Sequence, residues 1–277
     1  MTTLLMATDF SPESDLALRR ACQLAAEHQA RLIVLHSVDS ALPLHTRDRR
    51  RKEAEGLVQE QLARCTPEPA LDVKLVVEAG RIAETILRNA VEEDASLIIL
   101  GQHHQSSPEL FVGTTLERVS RLASVPVLLV VSEQADYQQG LVALDASACA
   151  SQGLRTAALL VNGGHLHAMH ICHPPMSTRW GGHSAQVKYA NEQQETLDNL
   201  LEDELETLEL MDIPRPTFSL DVSNGGVLAE LQRAVSIRKP GFLALGSHGR
   251  SGLGEALLGG LALELLRQPP CDVLVAR

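Results

Sequence analysis

The most specific segment of the chain reads Gly241-Phe-Leu-Ala-Leu-Gly246-Ser-His-Gly249-Arg-Ser-Gly-Leu-Gly-Glu-Ala-Leu-Leu-Gly259-Gly260. It consists of a short apolar run, a glycine-rich loop and the start of a helical pattern over residues 261–267. Glycines let backbone N–H groups approach an anion closely, and a helix N-terminus adds unpaired amides and a favourable dipole. The segment therefore predicts a buried strand that leads into a phosphate-binding loop, with a plain turn as the alternative.

Better-known loop motifs do not fit this segment. The loop contains no lysine, which excludes a P-loop, and it lacks the Gly-x-Gly-x-x-Gly spacing of Rossmann domains. The nucleophile elbow also fails, because Leu253 stands where its last glycine is required.

The same plan occurs twice along the chain. In each half an apolar run ends in an aspartate, Asp9 or Asp145, and a serine and a helical pattern follow. The next strand patterns, 31–38 and 165–172, align His36 with His170. Later in each half comes a strand pattern that ends in glycine, at 96–101 and at 241–246. A closing apolar run after proline follows it, at 126–131 and at 270–275. The chain is therefore expected to contain two repeats joined by the polar stretch 132–139.

The strand patterns are short and continuously apolar, which is typical of strands covered on both faces. They alternate with helical patterns, which indicates βαβ units and a parallel sheet. We therefore predict an α/β fold of two doubly wound parallel-sheet domains, at residues 1–132 and 140–277. Ligands of such domains bind beyond the carboxyl ends of the strands, at the switch point of the sheet.

Composition excludes several classes of protein. The chain has 24 basic and 35 acidic residues and a net charge of −11, which argues against a general nucleic-acid binder. Aromatic residues make up 3%, which predicts an aliphatic core and disfavours base-stacking platforms. The five scattered cysteines predict reduced thiols. No signal peptide or membrane span is expected, and the predicted location is cytoplasmic.

Three features together resemble the universal stress protein family. They are the aspartate that ends the first strand, the histidine in the second strand, and the glycine loop before the last helix. Two copies in one chain resemble the tandem members, and the resemblance covers essentially all 277 residues. It implies domains of the adenine-nucleotide alpha-hydrolase-like or flavodoxin-like type. It also implies a bound adenine nucleotide, ATP or AMP, with or without Mg²⁺, and a role in stress response.

The glycine loop of the second half nearly matches the nucleotide-binding members, whose loop reads G-x2-G-x9-G-[ST]. Gly246, Gly249 and Gly259 match at the right spacing. Gly260 departs from the pattern, because it keeps the backbone amide but lacks the hydroxyl of serine or threonine.

The resemblance implies three further contacts in the second half. Asp145 would lie beside the adenosine, and the end of the second strand near Ile171 and Cys172 would meet the adenine edge. Arg250, the cation of the loop, would screen phosphate charge.

The first half departs further from this pattern. Its loop runs from Gly101 to Gly113-Thr114, with His104 in place of the second glycine and a spacer of eight residues instead of nine. The side chain of His104 restricts close approach to an anion, and Glu109 adds a negative charge. We therefore predict a degenerate loop here and nucleotide binding in the second half.

Other side-chain clusters point less clearly to a site. His165, His167 and His173 share one strand parity and invite a zinc interpretation, but zinc needs further ligands and no metal site is assigned. Ser247, His248 and Ser251 lack an evident acidic partner, so no hydrolytic triad is predicted. The basic run 47–52 is interpreted as the opening of a helix, and the acidic segment 192–212 as a solvated helix face.

These patterns favour a sensor or interaction module over a fast enzyme. The alternatives are slow ATP hydrolysis or phosphoryl transfer, a nucleotide-free structural protein that binds a partner, and a carrier of a small metabolite or lipid that uses the loop after Pro174. An unknown protein partner is expected, and a homodimer stays open. The closing strands at 126–131 and 270–275 are expected to pair with each other within the chain, because a bare apolar edge invites aggregation.

Overall fold

The computed structural model describes residues 1–65, 71–102, 114–133, 137–172, 182–249 and 258–277. The chain divides into two compact units, Met1–Ala135 (unit 1) and Asp136–Arg277 (unit 2). Each unit is described by itself.

Strands and helices alternate along unit 1. Their bounds are β1 Thr3–Ala7, α1 Pro12–Glu27, β2 Arg31–Val38, α2 Leu44–Cys65, β3 Val73–Ala79, α3 Ile82–Glu92, β4 Leu97–Gly101, α4 Thr115–Leu122 and β5 Val127–Val130. All neighbouring strands pair in parallel, in the order β3-β2-β1-β4-β5. The strand order reverses at β1 and β4, so the carboxyl ends of these two strands form the switch point.

Unit 2 repeats this topology. Its elements are β6 Gln139–Ala143, α5 Ala148–Val161, β7 His165–Cys172, α6 Gly182–Leu210, β8 Thr217–Asn224, α7 Val227–Arg238, β9 Phe242–Gly246, α8 Gly260–Arg267 and β10 Asp272–Ala276. The parallel order is β8-β7-β6-β9-β10, with the switch point at β6 and β9. The predicted fold of two doubly wound α/β domains is confirmed.

The central strands are buried on both sides, which explains their continuous apolar sequence. Leu4, Leu5 and Met6 of β1 are fully buried, as are Leu243 and Ala244 of β9. Helix α1 packs on β1 and β4, and α5 packs on β6 and β9. Each unit therefore has the aliphatic core that the composition predicts.

Helix α6 carries most of the acidic segment, but one of its acids is not solvated. Leu197, Leu201 and Leu208 are buried, and Glu204 is buried beside them at 5% exposure. Arg155 of α5 donates to both carboxylate oxygens of Glu204, through Nε at 2.6 Å and a terminal nitrogen at 3.1 Å. The interpretation of a wholly solvated acidic face is therefore wrong at Glu204, because this acid fixes α6 to α5.

Within the described ranges, none of the helices combines the length and the apolar character needed to cross a membrane.

Candidate functional site

A cavity of about 520 Å³ opens at the switch point of unit 2, where β6 and β9 end and α8 begins. We call it the unit 2 cavity. Most of the residues predicted from sequence line it: Asp145, Ile171, Gly246, Gly249, Gly259 and Gly260. Cys172 is not among the described lining residues, and Arg250 lies outside the described residues.

Asp145 is fixed by a tight turn at the end of β6. Ala146 adopts a left-handed φ of 55°, which turns the chain so that the backbone N–H of Ser147 donates to Asp145 Oδ1 at 3.0 Å. The Ser147 hydroxyl donates to the same oxygen at 2.6 Å and accepts from the N–H of Ala150 at 3.2 Å. Ser147 therefore caps α5 and orients the carboxylate at the same time.

His170 holds the backbone just before this carboxylate. Its Nδ1 lies 2.7 Å from the carbonyl oxygen of Leu144, and it carries the proton because a carbonyl can only accept. The equivalent contact in unit 1 joins His36 Nδ1 to the Thr8 carbonyl at 2.9 Å. The sequence aligned the two histidines, but their function as positioning residues appears only in the fold.

Gly249 brings the loop backbone against Asp145. A Cβ at position 249 would lie 2.6 Å from Asp145 Oδ2, closer than real side chains approach. Only a residue without a side chain therefore lets the loop and the carboxylate meet in this geometry.

Gly246 serves a different purpose from Gly249. A Cβ there would lie 2.8 Å from Cys149 Cβ and 2.9 Å from the backbone nitrogen of Ala150, in the first turn of α5. In unit 1 a Cβ on Gly101 would lie 2.5 Å from the carbonyl oxygen of Glu13 in α1. Both glycines are thus required by close packing of a strand end on a helix.

The N-terminus of α8 faces the cavity. Gly259 is its N-cap, with no side-chain hydrogen bond, and residues 260–262 line the cavity. The first amides of a helix lack an intrahelical acceptor and carry the positive end of its dipole. A Cβ on Gly260 would meet no described atom within 4 Å, so the described residues leave room for a ligand at this end of the cavity.

The corresponding helix in unit 1 has an internal cap. Thr114 accepts from the N–H of Glu117 at 3.2 Å through its own hydroxyl. The turn at Asp9 matches that at Asp145, with Phe10 at φ 66° and Ser11 donating to Asp9 Oδ1 at 3.0 and 2.6 Å. The cavity there measures only about 240 Å³. His104, on which the prediction of a degenerate loop rests, lies outside the described residues.

Part of the lining of the unit 2 cavity is apolar and comes from β7 and the start of α7. Met169 and Ile171, two residues apart on β7, present the same face of the strand, and Val227 at the start of α7 lies beside them. Cys172 points to the other face, where its sulfur lies 2.9 Å from Asn224 Oδ1 and burial raises the pKa of the thiol. The alternation of a strand explains why only one of the two predicted residues lines the cavity.

His248 also lines the unit 2 cavity, although the sequence did not mark it as a binding residue. Its Nδ1 lies 3.0 Å from the Ser247 hydroxyl, and its Nε2 is buried without a hydrogen-bond partner among the described residues. Ser247 is 1% exposed. The described contacts therefore give a Ser–His pair whose serine is shielded, and a histidine nitrogen that a ligand can satisfy.

Two of the β7 histidines, His165 and His167, form a polar cluster outside this cavity. His165 and His167 lie 3.3 Å apart through Nε2 and Nδ1, and Arg238 approaches His167 Nδ1 at 3.2 Å. Burial, and then the positive charge of Arg238, lower the pKa of His167 to about 4. Within the described ranges no group of three potential metal ligands is found, and His173 lies outside them.

Comparison with known proteins identifies the family to which the sequence is similar. The model of the universal stress protein family matches residues 1–131 and 136–277. Universal stress protein YxiE of Bacillus subtilis is 33% identical over 143 residues, which cover 46% of this chain and 97% of that protein. A universal stress protein encoded in the QAH/OAS sulfhydrylase 3′ region of Thermus aquaticus is 33% identical over 136 residues, with the same coverage.

Among solved structures, a universal stress protein from Archaeoglobus fulgidus matches 99% of this chain and 98% of its own. The TM-score is 0.69 at 19% sequence identity, a likeness of fold. Since the family model matches both repeats and nearly the whole sequence, the chain belongs to the universal stress protein family.

Proposed function

We propose that unit 2 binds an adenine nucleotide, ATP or AMP, and that the chain acts in stress response as a nucleotide-dependent sensor or interaction module. One observation carries this proposal. The unit 2 cavity joins an apolar side, a fixed carboxylate and the uncapped N-terminus of α8 within about 520 Å³. Cavities of this size and mixed character suit small cofactors.

The apolar side suits the adenine base. Met169, Ile171 and Val227 offer aliphatic contacts to a flat ring. His248 adds a buried Nε2 that has no partner among the described residues, so a polar group of the ligand would satisfy it.

Asp145 suits a ribose hydroxyl. A carboxylate is an acceptor, and hydrogen bonds to charged groups are stronger than neutral ones. Ser147 and His170 hold this part of the chain from two sides, so the carboxylate is oriented before a ligand arrives. Little ordering cost then remains to be met on binding.

The first turn of α8 suits the phosphate. Residues 260–262 line the cavity, their amides lack an intrahelical acceptor, and no described side chain caps the helix. An anion there gains both hydrogen bonds and the helix dipole. The Thr114 cap and the cavity of about 240 Å³ make unit 1 a poorer nucleotide site.

The proposal is tested by denaturing the purified full chain and analysing the released small molecules by mass spectrometry. Calorimetric titration of nucleotide-free protein with AMP, and with ATP in the presence and absence of Mg²⁺, should give one site per chain. Phosphate release from ATP, measured in parallel, tests the alternative of slow hydrolysis. Protein that is folded by circular dichroism yet neither carries nor binds a nucleotide would overturn the proposal and favour a nucleotide-free partner protein.

A further inference from the structure

A second cavity, of about 460 Å³, lies in unit 1 between the first turns of α2 and the ends of β2 and β3. We call it the arginine pocket, because Arg47, Arg51 and Arg88 line it. It shares no described lining residue with the cavity beside Asp9. The basic run at the start of α2, which the proposed function does not use, supplies two of its three arginines.

The floor of the arginine pocket is apolar. Val38 and Val77, from the ends of β2 and β3, line it at 6% and 4% exposure. Leu44, the first residue of α2, also lines it while remaining 70% exposed. A large apolar side chain at the mouth gains free energy if a ligand covers it.

Two of the three arginines already have acidic partners. Arg51 reaches Glu55 at 3.2 Å, and Arg88 is hydrogen-bonded to Glu78, which also lines the pocket. Their charges are therefore largely balanced within unit 1.

Arg47 is the exception among these arginines. It forms no ion pair with a described residue, and its Nε is buried without a hydrogen-bond partner. The neighbouring Asp48 also lines the pocket but is exposed, so water screens its charge. A buried N–H group without an acceptor costs free energy, and an acceptor from a ligand would recover it.

We propose that the arginine pocket binds a small organic oxyanion, a carboxylate or phosphate monoester attached to an apolar group, with Arg47 as the anion-binding residue. The planar edge of a guanidinium, formed by Nε and one terminal nitrogen, matches the two oxygens of such a group. The valine floor accepts the apolar group beside it. The volume of the pocket, its apolar floor and the unsatisfied N–H group of Arg47 thus all favour an oxyanion that carries an apolar group.

Phenyl phosphate and benzoate are suitable probes, with benzyl alcohol as the uncharged control. In NMR titrations of the full chain, the methyl signals of Val38 and Val77 and the Nε–H signal of Arg47 should shift and saturate with at least one of the two anions. The tighter of the two identifies the preferred oxyanion. Benzyl alcohol should cause no saturable shift, and inorganic phosphate should bind more weakly than phenyl phosphate because it lacks the apolar group.

Two variants separate a specific site from general attraction of anions. Arg47→Ala should weaken binding of the probe about tenfold or more, since it removes a charged hydrogen bond. The matched control is Arg49→Ala, which removes the same charge from the same helix where Arg49 is 68% exposed and paired with Glu53 at 3.6 Å. Its effect should stay within about twofold, because exposed charges are screened.

Equal weakening by the two variants, or saturable binding of benzyl alcohol, would overturn the proposal. So would the absence of shifts at Val38 and Val77 with either anion. Circular dichroism of each variant confirms that the fold is intact. Nucleotide binding by unit 2 is measured separately and should not change in Arg47→Ala, so the failure of either proposal can be recognised independently.

Discussion

Replacement of Gly249 by alanine should weaken adenine-nucleotide binding strongly without unfolding unit 2. The new Cβ would lie 2.6 Å from Asp145 Oδ2. Carbon–oxygen contacts in proteins rarely close below about 3.3 Å, so the loop or the carboxylate must move by roughly 0.7 Å. Asp145 is held by Ser147, whose hydroxyl also caps α5, so the carboxylate cannot move away without disturbing these hydrogen bonds.

A hydrogen bond to a charged group contributes about 1.5–3 kcal/mol, so losing the bond between Asp145 and the ribose predicts a loss of affinity of roughly 10- to 150-fold. Isothermal titration calorimetry with AMP measures it. The control is Gly56→Ala in α2, where a Cβ meets nothing within 4 Å and binding should not change. If Gly249→Ala bound AMP as tightly as the unsubstituted protein, Asp145 and the loop would not form the nucleotide site.

Three further outcomes follow from described contacts. Gly260→Ser should tighten nucleotide binding about three- to tenfold, because it adds a hydroxyl donor at a position where a Cβ meets no described atom within 4 Å. Weaker binding in calorimetry would count against a phosphate site at the start of α8. Arg155→Met should lower the free energy of unfolding in urea by about 3 kcal/mol, since it leaves the buried carboxylate of Glu204 unpaired. Adding Glu204→Leu should restore most of the lost stability. A double variant as unstable as Arg155→Met alone would show that the unpaired carboxylate is not the cause. The folded-state pKa of His167 is lowered from 6.5 to about 4, so its contribution to stability is full above pH 6.5 and is lost as the pH falls towards 4. His167→Asn should therefore flatten the dependence of the unfolding midpoint on pH between about 6.5 and 4. An unchanged slope of midpoint against pH would show that other groups cause the dependence.

The repeat and the order of elements could be predicted because each depends on local pattern. Continuous apolar runs identified the buried strands, and the turn after Asp145 follows from a serine that caps a helix. The function of His170 could not be predicted, because its partner, the Leu144 carbonyl, lies 26 residues away and meets it only once β6 and β7 pair.

The pattern of charges along the sequence likewise did not predict which charged side chains are buried. Glu204 is spaced from Leu197, Leu201 and Leu208 so that it shares their helix face, but the sequence does not show its partner Arg155, which lies 49 residues earlier. The basic run of α2 looks uniform, yet Arg49 is paired on the surface while Arg47 lines a cavity. Which charge is buried depends on the other elements that pack there, and a single segment does not contain that information.

The packing at Gly101 and Gly246 changes how much each motif glycine reveals about a ligand. Because both sit where a Cβ would collide with the first turn of the first helix of the repeat, α1 or α5, any chain with this strand–helix contact must keep a glycine there, whatever it binds. That glycine is diagnostic of architecture alone. The second position of the motif is the one that indicates whether a ligand binds. It is Gly249, next to Asp145, in the second repeat and His104 in the first. A duplicated chain can thus preserve its shape in both halves while its two loops diverge independently.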